Sequence, residues 1–344
     1  MELCKAGAKS RNHVERSIST KRILLGDIGA TNARFALLAD GQLGPVKSFD
    51  VAGFPRFADA AAIFLKEHCY RASVTKAVFA VAGPVEADRC VLTNCSWVID
   101  ARELYQTLGL EARIINDFEA VAHSLPSLTA ADLVKIGGGE AESGAPMVVL
   151  GPGTGLGVAG LVSRLGTPIV IPSEGGHATF GGTGGDREDD IVRHLQRRFG
   201  HVSAERVISG EGLENIYQAI VALDQLNLAP QGAAEITKRA LSSDCRVARE
   251  ALERFCAFLG SFAGSVVLMF GARGGAYIAG GISPRIVDFM SQSEFRSRFE
   301  AKGRFRPYLE RVPTQVIVHP AAAFLGLASL SNIVNADHSV GKAP

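Results

Sequence analysis

The chain has 344 residues, 47% of them apolar and 21% charged, which is too long for one ordinary core and too apolar for disorder. Its formal net charge of +1 gives no bulk attraction for nucleic acid or another polyanion. The one compositional excess is glycine, 38 residues, against about 24 expected at a typical ~7% usage.

The segment MELCKAGAKSRNHVERSISTKR is basic and polar and lacks the apolar centre of a secretory signal. Glu2 and Glu15 count against a transit peptide, so residues 1–20 are read as a disordered tail. RILLGDIG and NARFALLAD then read as two strands joined by a tight turn, and GPVKSFDVA as a third. Asp27 stands at the end of the first strand, where an unpaired carboxylate is costly. FPRFADAAAIFLKEHC has Phe57, Ala60, Ala61, Phe64 and Leu65 at helical spacing. KAVFAVAGPV and RCVLTNCSWVID are read as further strands, and DARELYQTLG as a helix capped by Asp100 and closed by glycine. EARIINDFEAVAHSL is a short strand, then Asn116-Asp117, then a helix.

PMVVLGPGTGLGVAGLV (146–162) repeats the opening pattern: an aliphatic strand, a Gly/Thr turn and an aliphatic return strand. The order describes α/β architecture with mixed sheets and two similar halves. After residue 187 the chain is rich in helices, through DREDDIVRHLQRRFG, GEGLENIYQAIVALDQL, GAAEITKRALS and a long segment at 245–271. FCAFLGSFAGSVVLMFGA (255–272) imitates a membrane span, but it continues a helix that already carries charge and is read as a buried core helix. GAYIAGGI is a strand ending in a glycine turn, and TQVIVHPAAAFLGLASLSNIV a strand and a helix that packs back on the first half. The six cysteines form no CxxC pair, which suits free thiols in a reducing compartment.

Two matched glycine turns at strand ends suit phosphate, because backbone N–H groups can approach oxygens unobstructed. Thr31 and Thr154 add a hydroxyl to each. No GxxxxGK[ST] is present, and GLGVAG (155–160) continues as strand rather than opening the helix that a dinucleotide site needs. Asn116 and Asp117 are both good helix caps; one suffices, leaving the other for a ligand, and an aspartate there could take a proton from a substrate hydroxyl. Glu174 and His177 flank two glycines, either as a surface loop or as hydrogen-bonding groups for a polyhydroxylated ligand. Glu205 shares helical spacing with Val202, Arg206 and Ser209 and reads as part of a solvated helix face.

Six ordered segments, GDIGATNARFAL, IINDFEAVA, GPGTGLGVAGLV, EGGHATF, GHVSAERVISGEGLENIY and YIAGGISPR, together resemble the bacterial glucokinase family. The resemblance runs from about Arg22 to Val334 and places the chain in the sugar-kinase, heat-shock-ATPase and actin superfamily. It implies a two-domain, actin-like (ribonuclease H-like) ATPase fold, each domain a mixed sheet flanked by helices, with a cleft between. The small domain would be residues 21–127 plus 318–337 and the large one 128–317. It implies phosphorylation of glucose at O6 by ATP with Mg²⁺, in the cytoplasm, by a homodimer with no nucleic-acid or membrane partner. The phosphate loops would be Gly26, Asp27, Gly29, Ala30, Thr31 and Asn32 on one side and Gly153, Thr154 and Gly155 on the other. Gly280 and Gly281 would form the adenosine-side turn, and Asp27 would hold Mg²⁺ through water. Asn116, Asp117, Glu174, His177 and Glu205 match the glucose-contacting positions, with Asp117 as catalytic base.

The chain departs from the family pattern at Ala30, where glycine is common, and at 181–189, read as a loop near the cleft. The tail lies outside the resemblance. The zinc cysteines and helix-turn-helix of the related repressor and sugar-kinase family are absent. Three other readings are a kinase of mannose or glucosamine, a non-catalytic sugar-sensing regulator and an actin-like or chaperone ATPase. Retention of Asp27, Asp117 and both glycine turns argues against the regulator. A plain ATPase has no need of Glu174 and His177.

Overall fold

The computed structural model describes residues 22–68, 74–92, 95–182 and 185–340, with side chains as far as Ser331. The N-terminal tail, Cys4 and Cys69 lie outside the described residues.

The first sheet is built from β1 (Arg22–Ile28), β2 (Asn32–Ala39), β3 (Gln42–Leu43), β4 (Lys47–Asp50), β5 (Val74–Val81) and β8 (Glu111–Asn116). Its order is β3-β2-β1-β5-β8, with β4 also on β2. β1 and β2 are antiparallel, while β1, β5 and β8 run parallel. Residues of β1 are apolar on both faces because both faces are covered. Leu24 and Ile28 point into an aromatic core with Phe35, Phe79, Trp97 and two phenylalanines of α1 (Phe57–Glu67). Ile23 and Leu25 point the other way, onto Phe324 and Leu327 of the last helix. RCVLTNCSWVID is not one strand but two short ones, β6 (Arg89–Val91) and β7 (Val98–Asp100), paired in their own ribbon. Asp100 caps α2 (Ala101–Leu108) and Gly109 ends it in the left-handed conformation, φ 70°. α3 (Asp117–Ser124) follows β8 directly.

The second sheet repeats this plan with β9 (Leu133–Gly137), β10 (Met147–Pro152), β11 (Leu156–Arg164), β12 (Thr167–Ser173), β13 (Gly275–Ile278) and β14 (Thr314–Ile317). Its order is β12-β11-β10-β13-β14-β9. β10 and β11 are antiparallel, as are β1 and β2, and β10, β13 and β14 are parallel, as are β1, β5 and β8. The similarity of the two hairpins is thus the local sign of a repeated sheet topology. Between β12 and β13 lie α4 (Asp186–Phe199), α5 (Gly210–Leu223), α6 (Ala233–Leu241) and α7 (Arg246–Phe270). α8 (Val287–Gln292), α9 (Phe295–Glu300) and α10 (Arg306–Arg311) precede β14, and α11 (Ala322–Val340) follows it.

α7 is the one described helix long and apolar enough to cross a membrane, and 67% of that apolar window is buried in the core. Its Gly260 and Gly264 meet the Phe295 and Phe299 carbonyls of α9, where a Cβ would stand 2.0 and 2.3 Å from oxygen. The segment 181–189 is not wholly a loop, since α4 begins at Asp186. Glu205 is not on a helix face either: only a short 3₁₀ turn, Ala204–Arg206, forms before α5.

α3 joins the halves. Ala120 packs with the first sheet and α11, whereas Ala122 and Leu125 pack with Val149, Ala159 and Tyr277 of the second. Both contacts are close: a Cβ at Gly326 would lie 1.8 Å from the Ala120 carbonyl oxygen, and one at Gly157 would lie 1.8 Å from the Phe118 ring. The start of α3 is therefore held between the sheets.

Candidate functional site

The parallel strands β1, β5 and β8 end in step, with Ile28 beside Val81 and Val81 beside Asn116. Asp27 lies one residue inside this edge and Asp117 one residue beyond it, on strands about 10 Å apart at a spacing of ~4.8 Å per strand. Asn116 is the helix cap: its Oδ1 accepts from the Phe118 N–H at 2.9 Å and its Nδ2 donates to the Gly83 carbonyl at 3.3 Å. Asp117 is left at the first helical position, half-buried, with Oδ1 accepting from the same Phe118 N–H at 2.9 Å. Burial pushes its carboxyl up to about 7, and the negative charges of Asp27 and Glu174 push in the same direction. A carboxylate so placed is poised as a base near neutral pH.

Asp27 has a resident partner that the sequence reading did not supply. Arg34, its cross-strand neighbour on β2, donates from Nη2 to Asp27 Oδ2. Burial raises the Asp27 carboxyl and Arg34 opposes that rise. The same guanidinium reaches the Pro320 carbonyl through Nη1 at 3.5 Å, just before α11. The signal was available in the hairpin, since pairing across the turn sets Asp27 opposite Arg34.

In the first turn, the Gly29 N–H donates to the Asn32 carbonyl at 3.0 Å and the Val51 N–H to the Thr31 carbonyl at 2.9 Å. Ala30 has no positive φ, so its methyl imposes no backbone strain there. Gly26 has a packing reason to be glycine: its Cβ would stand 2.6 Å from the Phe79 ring. Gly29 has only the Asn32 carbonyl oxygen near that position, at 3.5 Å.

In the second turn, the Gly153 N–H donates to the Gly155 carbonyl at 2.8 Å, and the Gly210 N–H of α5 donates to the Gly153 carbonyl at 2.9 Å. The Gly280 turn packs directly beneath. Gly280 has φ +84° and its Cβ would lie 2.3 Å from the Pro152 carbonyl oxygen, so only glycine fits. Gly153 and Gly281 have open space where a side chain would stand. Thr31, Asn32 and Thr154 are exposed at these turns.

Glu205 belongs to the second turn. Its Oε2 accepts from the Leu156 N–H at 2.9 Å, and the missing Cβ of Gly155 gives it room. Glu174 and His177 flank a 3₁₀ turn with side chains 70% and 63% exposed, His177 Nε2 standing 3.9 Å from Glu174 Oε2. The segments 178–180 and 202–204 pair, with the Ala204 N–H donating to the Ala178 carbonyl at 2.9 Å, and this brings Glu205 towards His177.

Among the described residues no group of three or more His, Cys, Asp or Glu side chains could hold a metal. Mg²⁺ in general binds one or two carboxylates plus phosphates and keeps several waters. Asp27, at the end of β1 and paired with Arg34, is the carboxylate beside the first glycine turn.

The family model described as Glucokinase matches residues 24–333. The chain belongs to the glucokinase family. It is 44% identical over 314 residues to a glucokinase of Paramagnetospirillum magneticum, covering 90% of this chain and 98% of that one. It is 42% identical over 310 residues to the bifunctional protein glk of Paraburkholderia xenovorans, covering 89% of this chain and about half, 48%, of that longer one. The solved glucokinase from an Antarctic psychrotroph superposes with a TM-score of 0.81 at 33% identity, covering 91% of this chain and 99% of that one. The fold is accordingly the actin-like ATPase fold of the glucokinases.

Proposed function

We propose that Asp117 is the general base of this glucokinase-family enzyme and that the two glycine turns hold the nucleotide phosphates. The chain is an ATP-dependent glucose kinase, and the product is glucose 6-phosphate. The observation that carries the catalytic assignment is the Asp117 carboxyl, which accepts from the Phe118 N–H at the start of α3 and is raised by burial to about 7.

Asn116, Glu174, His177 and Glu205 bind the hydroxyls of glucose, with carboxylates accepting and Asn116 and His177 completing the set. Asp117 accepts the proton of the O6 hydroxyl as that oxygen attacks the γ-phosphorus of ATP and the bond to ADP breaks. Main-chain N–H groups at Ala30 and Thr31 and at Thr154 and Gly155 orient the phosphates, while the N–H groups of Gly29 and Gly153 close the two turns. Asn32 lies at the rim of the first turn. Gly280 and Gly281 leave room for the adenosine side. Asp27 would hold Mg²⁺ through water, and the ion would neutralise phosphate charge there. Closure of the sheets about α3 excludes water, which otherwise competes with O6 as acceptor.

The enzyme is placed in the cytoplasm as a homodimer acting on small molecules, with no nucleic-acid or membrane partner. The free thiols of Cys90, Cys95, Cys245 and Cys256 and the buried α7 support that location. The domain limits 21–127 plus 318–337 and 128–317 follow the two sheets, with α3 as the shared element. A coupled assay of ADP release with and without glucose tests the function. Glucose-dependent release is expected, and release independent of any hexose would replace the kinase by a plain ATPase.

A further inference from the structure

A cavity of about 410 Å³ lies outside this site, between α4 and the segment after His177. Its wall includes Thr179, Phe180, Asp189, Arg193, Gln196 and His201. These groups offer both kinds of hydrogen bond: the carboxylate accepts, the guanidinium donates, and the carboxamide and imidazole do both. Asp189 Oδ1 is buried with no hydrogen-bond partner among the described residues, although buried polar atoms are nearly always paired. Gly182 lies against it, and a Cβ there would stand 2.2 Å from that oxygen. That oxygen is itself covered, and it is the cavity wall, with its mix of acceptors and donors, that suits a ligand rich in hydroxyl groups.

The cavity is joined to the sugar residues by one short pairing. The Phe180 N–H donates to the Val202 carbonyl at 2.9 Å, Thr179 bridges to Ser203, and the Ala204 N–H donates to the Ala178 carbonyl at 2.9 Å. Thr179 Oγ1 and His201 Nε2 lie 3.0 Å apart at the cavity end. The other end of the same pairing leads directly to His177 and Glu205. Whatever fills the cavity presses on the two segments that present those side chains.

We propose that this cavity is an effector site for a pyranose, whose occupancy changes glucose binding at the candidate active site. The choice of a pyranose rests on the glucose-kinase reading, because the ligands at hand are then the substrate hexose and its 6-phosphate. Both share the ring hydroxyls that Asp189, Arg193 and Gln196 would bind.

Equilibrium dialysis of the full chain against radiolabelled glucose, and separately against glucose 6-phosphate, tests this, with kinase activity measured on the same samples. Two ligands per chain are expected for at least one of the sugars. Gln196→Trp, which fills the cavity, and Asp189→Asn, which removes the carboxylate, are each expected to reduce this to one. In those variants kcat stays unchanged while the glucose KM moves several-fold. One ligand per chain for both sugars in an active enzyme overturns the effector site, as do two that neither substitution removes. If Gln196→Trp fails to fold, the Asp189→Asn stoichiometry decides. An inactive parent chain speaks instead against the glucose-kinase function.

Discussion

At the scale of single residues, Asp117 makes the sharpest claims. Its neighbour Asn116 takes the capping role, so replacing the carboxylate leaves the helix start intact. Asp117→Asn is expected to lower kcat by about 10³-fold, within the ~10²–10⁴ that a positioned base supplies. Glucose binding, followed by intrinsic fluorescence or calorimetry, should persist; near-normal turnover would remove Asp117 from the mechanism. The raised carboxyl also sets two pH dependences of opposite benefit. Activity needs the ionised form, so kcat/KM should rise as pH passes upward through about 7. Stability runs the other way. The folded state holds this proton more tightly than the unfolded chain, whose carboxyl titrates near 3.8, so the contribution is full below that value and is lost as pH rises through about 7. Melting temperatures should therefore show Asp117→Asn gaining on the parent at pH 8 relative to pH 4. Glu205 makes a different kind of claim, because its carboxylate touches the second turn and is also proposed to bind glucose. Glu205→Ala should raise KM for both ATP and glucose, roughly tenfold for a lost charged hydrogen bond. A change in the glucose KM alone would separate it from the turn.

At the scale of elements, α3 and the glycine contacts around it are the joint on which the site depends. A helix that touches both sheets positions Asp117 only if its neighbours come close, and Gly157 and Gly326 are the residues that permit it. Gly326→Ala puts a methyl into the Ala120 carbonyl, a backbone atom that cannot turn aside. Overpacking of this kind costs about 1–3 kcal/mol or more. A clear fall in melting temperature is expected, and an unchanged one would mean that α11 slides freely on α3. The glycine turns divide by a similar test. Gly26 and Gly280 are glycine because protein atoms fill the space, Gly29 has the Asn32 carbonyl oxygen in ordinary contact there, and only Gly153 and Gly281 leave it open.

At the scale of the whole molecule, two sheets of matching topology share one helix, and the groups assigned to glucose come from both. Asn116 and Asp117 sit on the first, while Glu174, His177 and Glu205 sit on the second, two of them well exposed. Glucose that contacts all five must draw the sheets together. Small-angle scattering should show a fall in radius of gyration on adding glucose, and a larger one with a non-hydrolysable ATP analogue. No change in either case would mean that the site works without closure.

Much of this molecule was legible from its residues. Strands β1, β2, β5, β8, β10, β11 and β13 and helices α1 to α7 carry strong apolar periodicity or clear caps, and local physics selects them. The two Gly/Thr turns, Asp27 and Asp117 were visible because glycine and acidic residues are costly at the ends of buried strands. Other features have no local signature. Thr167–Ser173 alternates weakly as an edge strand, and RCVLTNCSWVID reads as one strand although Arg89–Val91 and Val98–Asp100 pair antiparallel. Glu205 looked like one more charge on a helix, since its place is set by pairing between 178–180 and 202–204. The sequence by itself determined most element types, the repeated hairpin and the candidate residues for phosphate and proton transfer, because these rest on backbone propensity and side-chain chemistry. Only the tertiary structure decided that Arg34 neutralises Asp27, that Asn116 rather than Asp117 is the cap, and that Glu205 meets the second turn. Those outcomes depend on which distant segments share a space, and burial and charge act through that space.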